Sequence, residues 1–298
     1  MPIVVGVDAG GSRTLAAAAH DNDEPRTFAG DAANLQVCGV ERAAETIAAA
    51  VANVLAGEPA DAIAVGAAGA GRPETAQALA AALRARFPGA RVAVGDDARI
   101  ALRGAVPQGD GIVLISGTGS IAYAEIGGRS FRAGGAGHAL GDEGSGYAIG
   151  SAALKLLLRA FEGRAPRDPL LDALATRIGA ASVHEVVAFA YGGSVPATVA
   201  SVAPIVLEFA DAGERSANKI VQAAALELFE LVRAVCRMAG AGATELPLAF
   251  AGGLLRANSV LTYLIETRIA NELPHLHVVK GGADPYFGAL AQARELLA

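Results

Sequence analysis

Two glycine-rich turns in this sequence carry hydroxyl groups and have the composition of phosphate-binding loops. Residues 8–14 read DAGGSRT after a short β-branched run, and residues 116–120 read SGTGS. Glycine lets the backbone approach a ligand closely, and consecutive amides with Ser and Thr hydroxyls can cradle phosphate oxygens. Asp8 could hold a hydrated Mg²⁺, which usually keeps several of its waters. A plain hairpin would use the same residues, so the first turn alone does not decide, but the second turn favours phosphate binding.

Two other nucleotide-binding motifs are excluded by context. Residues 117–122, GTGSIA, formally match the dinucleotide fingerprint, which must open a helix and be followed about 20 residues later by an acid. Residues 120–126 alternate like a strand instead, and no Asp or Glu lies between Ser130 and Gly141. A Walker loop, GxxxxGK[ST], is also missing.

Asp97 is a candidate catalytic carboxylate. It follows a predicted strand at residues 91–95 and begins a predicted helix, where a carboxylate can point into a cleft. The alternative is that Asp97 caps this helix. Asp96 could fill that role equally well, and the other carboxylate of the pair would then have no capping role.

Two further segments are rich in glycine. Residues 134–146, GGAGHALGDEGSG, hold six glycines and two acids, which suits close approach to a polar ligand with Asp142 accepting hydroxyl hydrogen bonds. Capping of the next helix by Asp142 or Glu143 is the alternative, and His138 is more typical of a structural histidine. Gly252 and Gly253 end an apolar strand and would let an adenosine lie against the backbone, although a strand-to-helix turn needs glycine too.

The elements that position these residues occur in the same order twice. Apolar periodicity and glycine turns predict βββαβαβα over residues 3–105, with the first helix over residues 40–55. The order begins again at Gly111, with helices inserted over residues 144–240 and a later helix over residues 258–272. We therefore expect an α/β protein of two lobes, residues 1–110 and residues 111–298, with the last helix free to pack back on the first lobe.

Composition narrows the function classes. The 298 residues are 53% hydrophobic with net charge -6 and no run of Lys and Arg, so nucleic acid is not an expected partner. No stretch approaches the ~18 apolar residues of a membrane span, and the first residues lack a secretory leader, so we expect the cytoplasm and no membrane partner. Cys38 and Cys236 are far apart, without metal-ligand spacing, and are expected to be buried.

Taken in order, the segments DAGGSRT, ANL, DDA, SGTGS, GGAGHALGDEGSG and FAGGLL resemble the N-acetylglucosamine kinase and related BadF-type ATPase family of the actin and hexokinase superfamily. The resemblance covers nearly the whole chain. It implies two lobes that close on ATP and substrate, with transfer of the γ-phosphate to the 6-hydroxyl of an amino sugar, Mg²⁺ as the metal and often a homodimer.

The resemblance also implies a role for each matching position. Asp97 is the implied catalytic base, and Asp8 the implied magnesium ligand. The implied phosphate and nucleotide contacts are Asp8, Gly10, Gly11, Ser12, Thr14, Gly117, Thr118, Gly119, Gly252 and Gly253. The implied sugar contacts are Asn34, Ser120, Gly135, Ala136, Gly137 and Asp142.

One departure from the family bears on substrate. Many relatives carry Trp where this chain has Ala136, and the chain contains no Trp at all. Without a tryptophan face to pack against the sugar, the pocket has a different shape. N-acetylglucosamine, glucosamine and N-acetylmuramic acid therefore all stay open as substrates. Two other functions remain as alternatives: an ATPase activator of a dehydratase with an iron-sulfur cluster, which Cys38 and Cys236 do not suit, and a non-catalytic sugar sensor.

Overall fold

Two five-stranded sheets organise the chain. The computed structural model describes residues 1–11, 13–20, 23–242, 244–279 and 284–298. Two compact units divide it, one of Met1–Gly111 with Val279–Ala298 and one of Ile112–Val278. Each unit is built around one sheet.

The first unit opens with three strands and then alternates helix and strand. Its elements are β1 (Ile3–Ala9), β2 (Thr14–His20), β3 (Arg26–Gly30), α1 (Leu35–Leu55), β4 (Ala62–Ala67), α2 (Pro73–Arg86), β5 (Arg91–Asp96) and α3 (Asp97–Ala105). The sheet order is β3-β2-β1-β4-β5, with β1, β4 and β5 parallel to one another and β2 antiparallel to both β1 and β3. The carboxyl ends of the three parallel strands therefore lie along one edge, where Asp8 pairs with Gly66 and Ala67 pairs with Asp96.

The second unit repeats this order. Its elements are β6 (Gly111–Ser116), β7 (Ser120–Ile126), β8 (Arg129–Gly134), α4 (Gly146–Phe161), α5 (Pro169–Ile178), α6 (Val183–Tyr191), α7 (Val195–Ala200), α8 (Ala203–Asp211), α9 (Arg215–Ala239), β9 (Leu246–Ala251), α10 (Val260–Glu272) and β10 (Leu276–Val279), and the chain then forms α11 (Pro285–Glu295). The sheet order is β10-β9-β6-β7-β8, which is the order of the first sheet with each strand replaced by its counterpart. The predicted duplication of βββαβαβα is confirmed, and the predicted helical insertion consists of six helices within the described residues.

The inserted helices cover the second sheet. Helix α9 packs on β7 and β8 and buries Phe229 and Val232 completely, while α4 packs against α7 and α8. Within the described ranges no single helix is long and apolar enough to cross a membrane. The bent pair Val195–Asp211 and Arg215–Ala239, which turns by 111°, reaches that length and composition only when its two parts are counted together.

Glycines let the last helix pack on the first sheet. A Cβ built on Gly6 of β1 would lie 2.5 Å from the backbone nitrogen of Leu290 in α11, so only glycine permits this approach. Gly288 likewise allows α11 to lie directly on the backbone of α3 near Ile100. Helix α11 is therefore part of the first unit in space, although it follows the second unit along the chain.

Two predicted helix boundaries and one predicted burial were wrong. Helix α1 begins at Leu35 rather than residue 40, because Asn34 caps it and Gly39, with φ of 75°, kinks it and hides its periodicity. Helix α10 begins at Val260 rather than residue 258, because Ser259 caps it. Cys236 is buried as expected, whereas Cys38 is partly exposed and its Sγ donates to the backbone oxygen of Asn34 at 3.2 Å.

Candidate functional site

A partly buried carboxylate, that of Asp8, lies at the carboxyl edge of the first sheet. Burial raises the pKa of Asp8 from 3.8 to about 6; the positive charge of Arg13 lowers it, and the negative charge of Asp284 raises it further. Asp284 is not among the site residues predicted from the sequence. Its signal is an acid between a glycine pair and Pro285 at a predicted helix start, and it occupies the N-cap position of α11 without making a side-chain cap bond.

A second carboxylate pair lies at the start of α3. Asp96 is the N-cap of this helix, and its Oδ1 accepts the N–H of Ala98 at 3.0 Å. Oδ1 of Asp97 accepts the same N–H, also at 3.0 Å. The pKa of Asp97 lies well above its usual range, chiefly because of burial, then because of a hydrogen bond with the Asp96 side chain and the charges of Asp96 and Asp8. The sequence left the cap open between Asp96 and Asp97; the N-cap is Asp96, and the candidate base Asp97 accepts a hydrogen bond from the same donor.

Backbone hydrogen bonds hold the first turn against the start of α1. Gly10 donates to the backbone oxygen of Arg13 at 2.9 Å, and the oxygen of Gly10 accepts the N–H of Ala33 at 3.1 Å. Asn34 comes directly after Ala33 and caps α1 through Oδ1, which accepts the N–H of Gln36 at 2.9 Å. The amide oxygen of Asn34 is therefore committed to the cap, and its Nδ2 is the atom left for other contacts.

The other residues predicted in the first turn differ in accessibility. Gly11 is exposed, and a Cβ built on it would lie 3.7 Å from Nδ2 of Asn34. Thr14 is fully buried at the start of β2, and among the described residues its hydroxyl has no hydrogen-bond partner. Ser12 lies outside the described residues.

The second turn is bound by its carbonyl groups to the N-terminus of α4. The oxygen of Gly117 accepts the N–H of Gly146 at 2.8 Å, and the oxygen of Thr118 accepts the N–H of Tyr147 at 3.2 Å. A trans peptide unit is planar and directs its C=O and N–H to opposite sides. The N–H groups of Thr118 and Gly119 are therefore directed away from α4, as an anion-binding turn requires.

Asp142 is held beside the second turn in a strained conformation. Its φ is 63°, which is uncommon for a residue other than glycine and concentrates at functional sites. Oδ1 of Asp142 accepts the N–H of Ser120 at 3.2 Å, and the Ser120 hydroxyl donates to the oxygen of Glu143 at 2.6 Å. Burial raises the pKa of Asp142, while the Ser120 bond lowers it. The same contact explains a glycine, since a Cβ built on Gly119 would lie 2.7 Å from Oδ1 of Asp142.

The capping alternative for this acidic pair is wrong, because α4 has another cap. Ser145 is the N-cap residue, and its Oγ accepts the N–H of Ala148 at 3.2 Å. Glu143 is exposed. The carboxylate of Asp142 is therefore not needed by the helix.

The loop before Asp142 is anchored at its start and exposed at its tip. Gly135 donates to the oxygen of Ser120 at 2.8 Å, and the oxygen of Gly137 accepts the N–H of Gly141 at 2.9 Å. Ala136 is exposed, and Leu140 is 86% exposed. Ala136 and Leu140 thus both lie at the surface of this loop.

The two glycines after β9 have different structural demands. Gly252 has φ of 88°, and a Cβ on it would overlap the backbone oxygen of Ser116. Gly253 is exposed, and a Cβ on it would have open space. Gly252 is therefore explained by packing alone, whereas Gly253 is not.

The predicted site residues thus form two groups. Asp8, Gly10, Gly11, Asn34 and Asp97 belong to the first unit, and the residues from Gly117 to Gly253 belong to the second. Among the described residues no cluster of three or more His, Cys, Asp or Glu side chains could hold a metal by itself.

The fold and these loops define a member of the actin and hexokinase class of α/β proteins. Residues 5–293 match the BadF/BadG/BcrA/BcrD ATPase family, and the chain belongs to that family. The resemblance given by the sequence motifs is confirmed.

Named relatives include kinases of amino sugars. The chain is 33% identical over 239 residues to the N-acetylmuramic acid/N-acetylglucosamine kinase of Clostridium acetobutylicum, covering 80% of this chain and 78% of that protein. It is 28% identical over 240 residues to the glucosamine kinase GspK of Vibrio cholerae, covering 77% and 79%. A crystal structure from Chromobacterium violaceum, provisionally assigned as an N-acetylglucosamine kinase, matches with a TM-score of 0.80 and 26% identity over 100% of this chain and 99% of that one.

Proposed function

We propose that this chain is an ATP-dependent kinase that phosphorylates the 6-hydroxyl of an amino sugar, with N-acetylglucosamine, glucosamine and N-acetylmuramic acid as the candidate acceptors. The family and the relatives support this class. The observation that carries the proposal is Asp97, a carboxylate of raised pKa that its helix does not need as a cap.

Asp97 is the proposed general base. A carboxylate is a better base when its pKa approaches the working pH, and burial beside Asp96 and Asp8 moves the pKa of Asp97 in that direction. In the proposed step the sugar hydroxyl gives its proton to Asp97 as its oxygen bonds to the γ-phosphorus. The bond from that phosphorus to the bridging oxygen breaks, and ADP leaves with the electron pair.

The charges near Asp8 suit a divalent cation. Burial and Asp284 both raise the pKa of Asp8, and Arg13 offsets them only in part, so a cation would relieve an unfavourable negative site. Mg²⁺ is usually held by one or two carboxylates together with substrate phosphates and waters, so it does not need a cage of protein ligands. When bound, Mg²⁺ supplies charge neutralisation on the phosphates.

The phosphates are assigned to the glycine turns. The amides of Thr118 and Gly119 point away from α4, and Gly10 and Gly11 offer the matching turn in the first unit. Ser12 is also assigned to this turn. Thr14 is fully buried at the start of β2, and we assign it to support the turn from the protein interior. The adenosine contact is assigned to Gly253, since packing does not demand that residue to be glycine.

The sugar is assigned to Asp142 and Asn34. With Oδ1 of Asp142 held by Ser120, the other carboxylate oxygen is oriented to accept a hydroxyl hydrogen bond. Ser120 itself is only 2% exposed and is assigned to position Asp142. Gly135, Ala136 and Gly137 are assigned to border the sugar, and the exposed Ala136 leaves room for a substituent such as the lactyl group of N-acetylmuramic acid.

The ATPase-activator alternative has no support in the cysteines. Cys236 is buried, with burial raising its pKa to about 11, so it is not available as a cluster ligand at a subunit interface. We also propose a homodimer, and light scattering that gives only the mass of one chain, 29.8 kDa, would exclude it.

The test of the proposed function measures ADP release and sugar phosphate together. Purified protein with Mg-ATP is offered glucosamine, N-acetylglucosamine, N-acetylmuramic acid or glucose, and the phosphorylated position is read by NMR. Sugar-dependent ADP release that Asp97→Asn abolishes and the exposed Asp172→Asn leaves intact supports a kinase. Equal ADP release without sugar, or none with any sugar, would reject the assignment.

A further inference from the structure

The start of α3 offers two carboxylates to one hydrogen-bond donor. Asp96 and Asp97 both bring Oδ1 to 3.0 Å from the nitrogen of Ala98. The two oxygens cannot be farther apart than twice that distance. The N–H of Ala98 is one of the helix N–H groups without an intrahelical partner, and one side-chain acceptor satisfies it; either carboxylate has the right chemistry.

Only one of the two residues has the conformation of a cap. Asp96 has φ of -66° and ψ of 137°, outside the helix, as an N-cap residue does. Asp97 is already the first residue of α3. Asp96 therefore fills the cap, and this leaves the Asp97 carboxylate only partly committed to the helix.

We propose that Asp96 is a positioning residue that keeps Asp97 available for the sugar by satisfying the helix N-terminus in its place. The inference rests on the proposed function of Asp97 as the base. If the Asp96 cap were lost, the bond that Asp97 already accepts from the N–H of Ala98 would no longer be shared, and it would hold the Asp97 carboxylate more firmly at the helix N-terminus. The base would then lie in the wrong place for the proton it accepts, and since geometry decides the efficiency of a base, turnover falls.

The kinetic test separates capping from charge. Asp96→Asn and Asp96→Ser keep a good N-cap and remove the charge, whereas Asp96→Ala removes both. We expect Asp96→Ala to lower kcat about tenfold, the effect of misplacing one ordinary hydrogen bond. The KM for ATP should not change. The Asn and Ser variants keep the cap but lose the charge that helps to raise the pKa of Asp97, so they should lose some turnover, and clearly less than Asp96→Ala. If Asn and Ser are as slow as Ala, or if Ala is as fast as wild type, the proposal is wrong.

A stability measurement tests the same idea without any activity. If Asp97 takes over the cap in Asp96→Ala, that substitution should cost more stability in an Asp97→Ala background than in wild type. Asp96→Asn in both backgrounds measures the part due to charge repulsion, because asparagine still caps.

Asp168 supplies the matched control. It caps α5 through the N–H of Leu171 at 2.9 Å and is followed by Pro169, so no neighbouring carboxylate can replace it. Its Oδ2 also accepts the Ser216 hydroxyl at 2.6 Å, so the cap is tested in a Ser216→Ala background that lacks this bond. In that background Asp168→Ala should lower Tm more than Asp96→Ala lowers it in the wild-type background. The proposal that Asp97 takes over the cap is wrong under two joint results. Asp168→Ala and Asp96→Ala would lower Tm equally, and Asp96→Ala would cost the same stability in the wild-type and Asp97→Ala backgrounds. A protein that passes these stability tests but phosphorylates no sugar would refute the proposed function and leave the capping relation standing.

Discussion

Gly119→Ala is the substitution that most directly tests how the sugar carboxylate is positioned. The new Cβ would lie 2.7 Å from Oδ1 of Asp142 and 3.0 Å from its Cγ. Comfortable contacts begin at about 3.5 Å, so the carboxylate must retreat by roughly 0.5 Å or more. The bond from Ser120 to Asp142 is already 3.2 Å long, and such a retreat takes it past the range of a hydrogen bond.

The size of the effect is set by the bond that is lost. A hydrogen bond to a charged group contributes about 1.5–3 kcal/mol, which corresponds to roughly a ten- to hundredfold change in an equilibrium constant. We therefore expect Gly119→Ala to raise the KM for the sugar by about that factor. Gly117→Ala has open space for its Cβ and lies in the proposed phosphate turn, so it should raise the KM for ATP instead.

The assay is steady-state kinetics with each substrate varied in turn, with a melting curve for every variant. Gly89→Ala, which also has open space for its Cβ, controls for the general effect of replacing a glycine. Asp142→Asn should reproduce the sugar defect without any clash, and Glu143→Gln should not. A wild-type sugar KM in Gly119→Ala would refute the assignment of Asp142 to the sugar. If Gly119→Ala raises the KM for the sugar and Asp142→Asn does not, the glycine turn and not Asp142 is the cause of the defect.

The other predictions concern the acidic edge and the glycine pair. Asp97→Asn should lower kcat by ~10²–10⁴-fold, and a residual rate near wild type would remove Asp97 as the base. Its Tm in a thermal melt should be unchanged or higher, because a partly buried carboxyl of raised pKa is replaced by a neutral amide. The folded-state pKa of Asp8, about 6, exceeds its usual 3.8, so its contribution to stability is fully present below about pH 4 and is lost as pH rises through 6. Tm of the metal-free protein should therefore fall more steeply over that interval in wild type than in Asp8→Asn, and parallel curves would contradict the shift. Gly252→Ala should lower Tm because its Cβ overlaps the oxygen of Ser116, whereas Gly253→Ala should keep Tm and raise the KM for ATP; the reverse pattern would exchange their roles.

The order of elements could be predicted because each strand has a local signal. Short apolar runs between glycine turns mark β1 to β3, and the same succession marks β6 to β8. The start of α1 could not be predicted, since the kink at Gly39 interrupts the helical period and removes the signal for its first turn. Periodicity finds elements well where nothing interrupts it.

The site residues that the sequence did not reveal depend on contacts between distant segments. The effect of Asp284 on Asp8 exists because α11 packs on β1, which requires Gly6, and no local pattern announces that pairing. The cap of α4 was ambiguous for a different reason, because Asp142, Glu143 and Ser145 all have cap chemistry. The second turn decides between them, since it engages Asp142 through Ser120 and leaves Ser145 to cap the helix.

The two glycine turns are held by the same kind of backbone hydrogen bond, but the segments that connect each hairpin to the following helix differ in length. In each turn, a carbonyl is bound by the segment that leads into that helix: the oxygen of Gly10 by Ala33, and the oxygen of Gly117 by Gly146. Planar peptides then direct the adjoining amides to the opposite side, so both turns present N–H groups suited to an anion. The link from β3 to α1 is only residues 31–34, whereas the link from β8 to α4 is residues 135–145. The longer link contains Asp142, which explains how duplicated halves with matching turns come to differ in the carboxylate that we assign to the sugar.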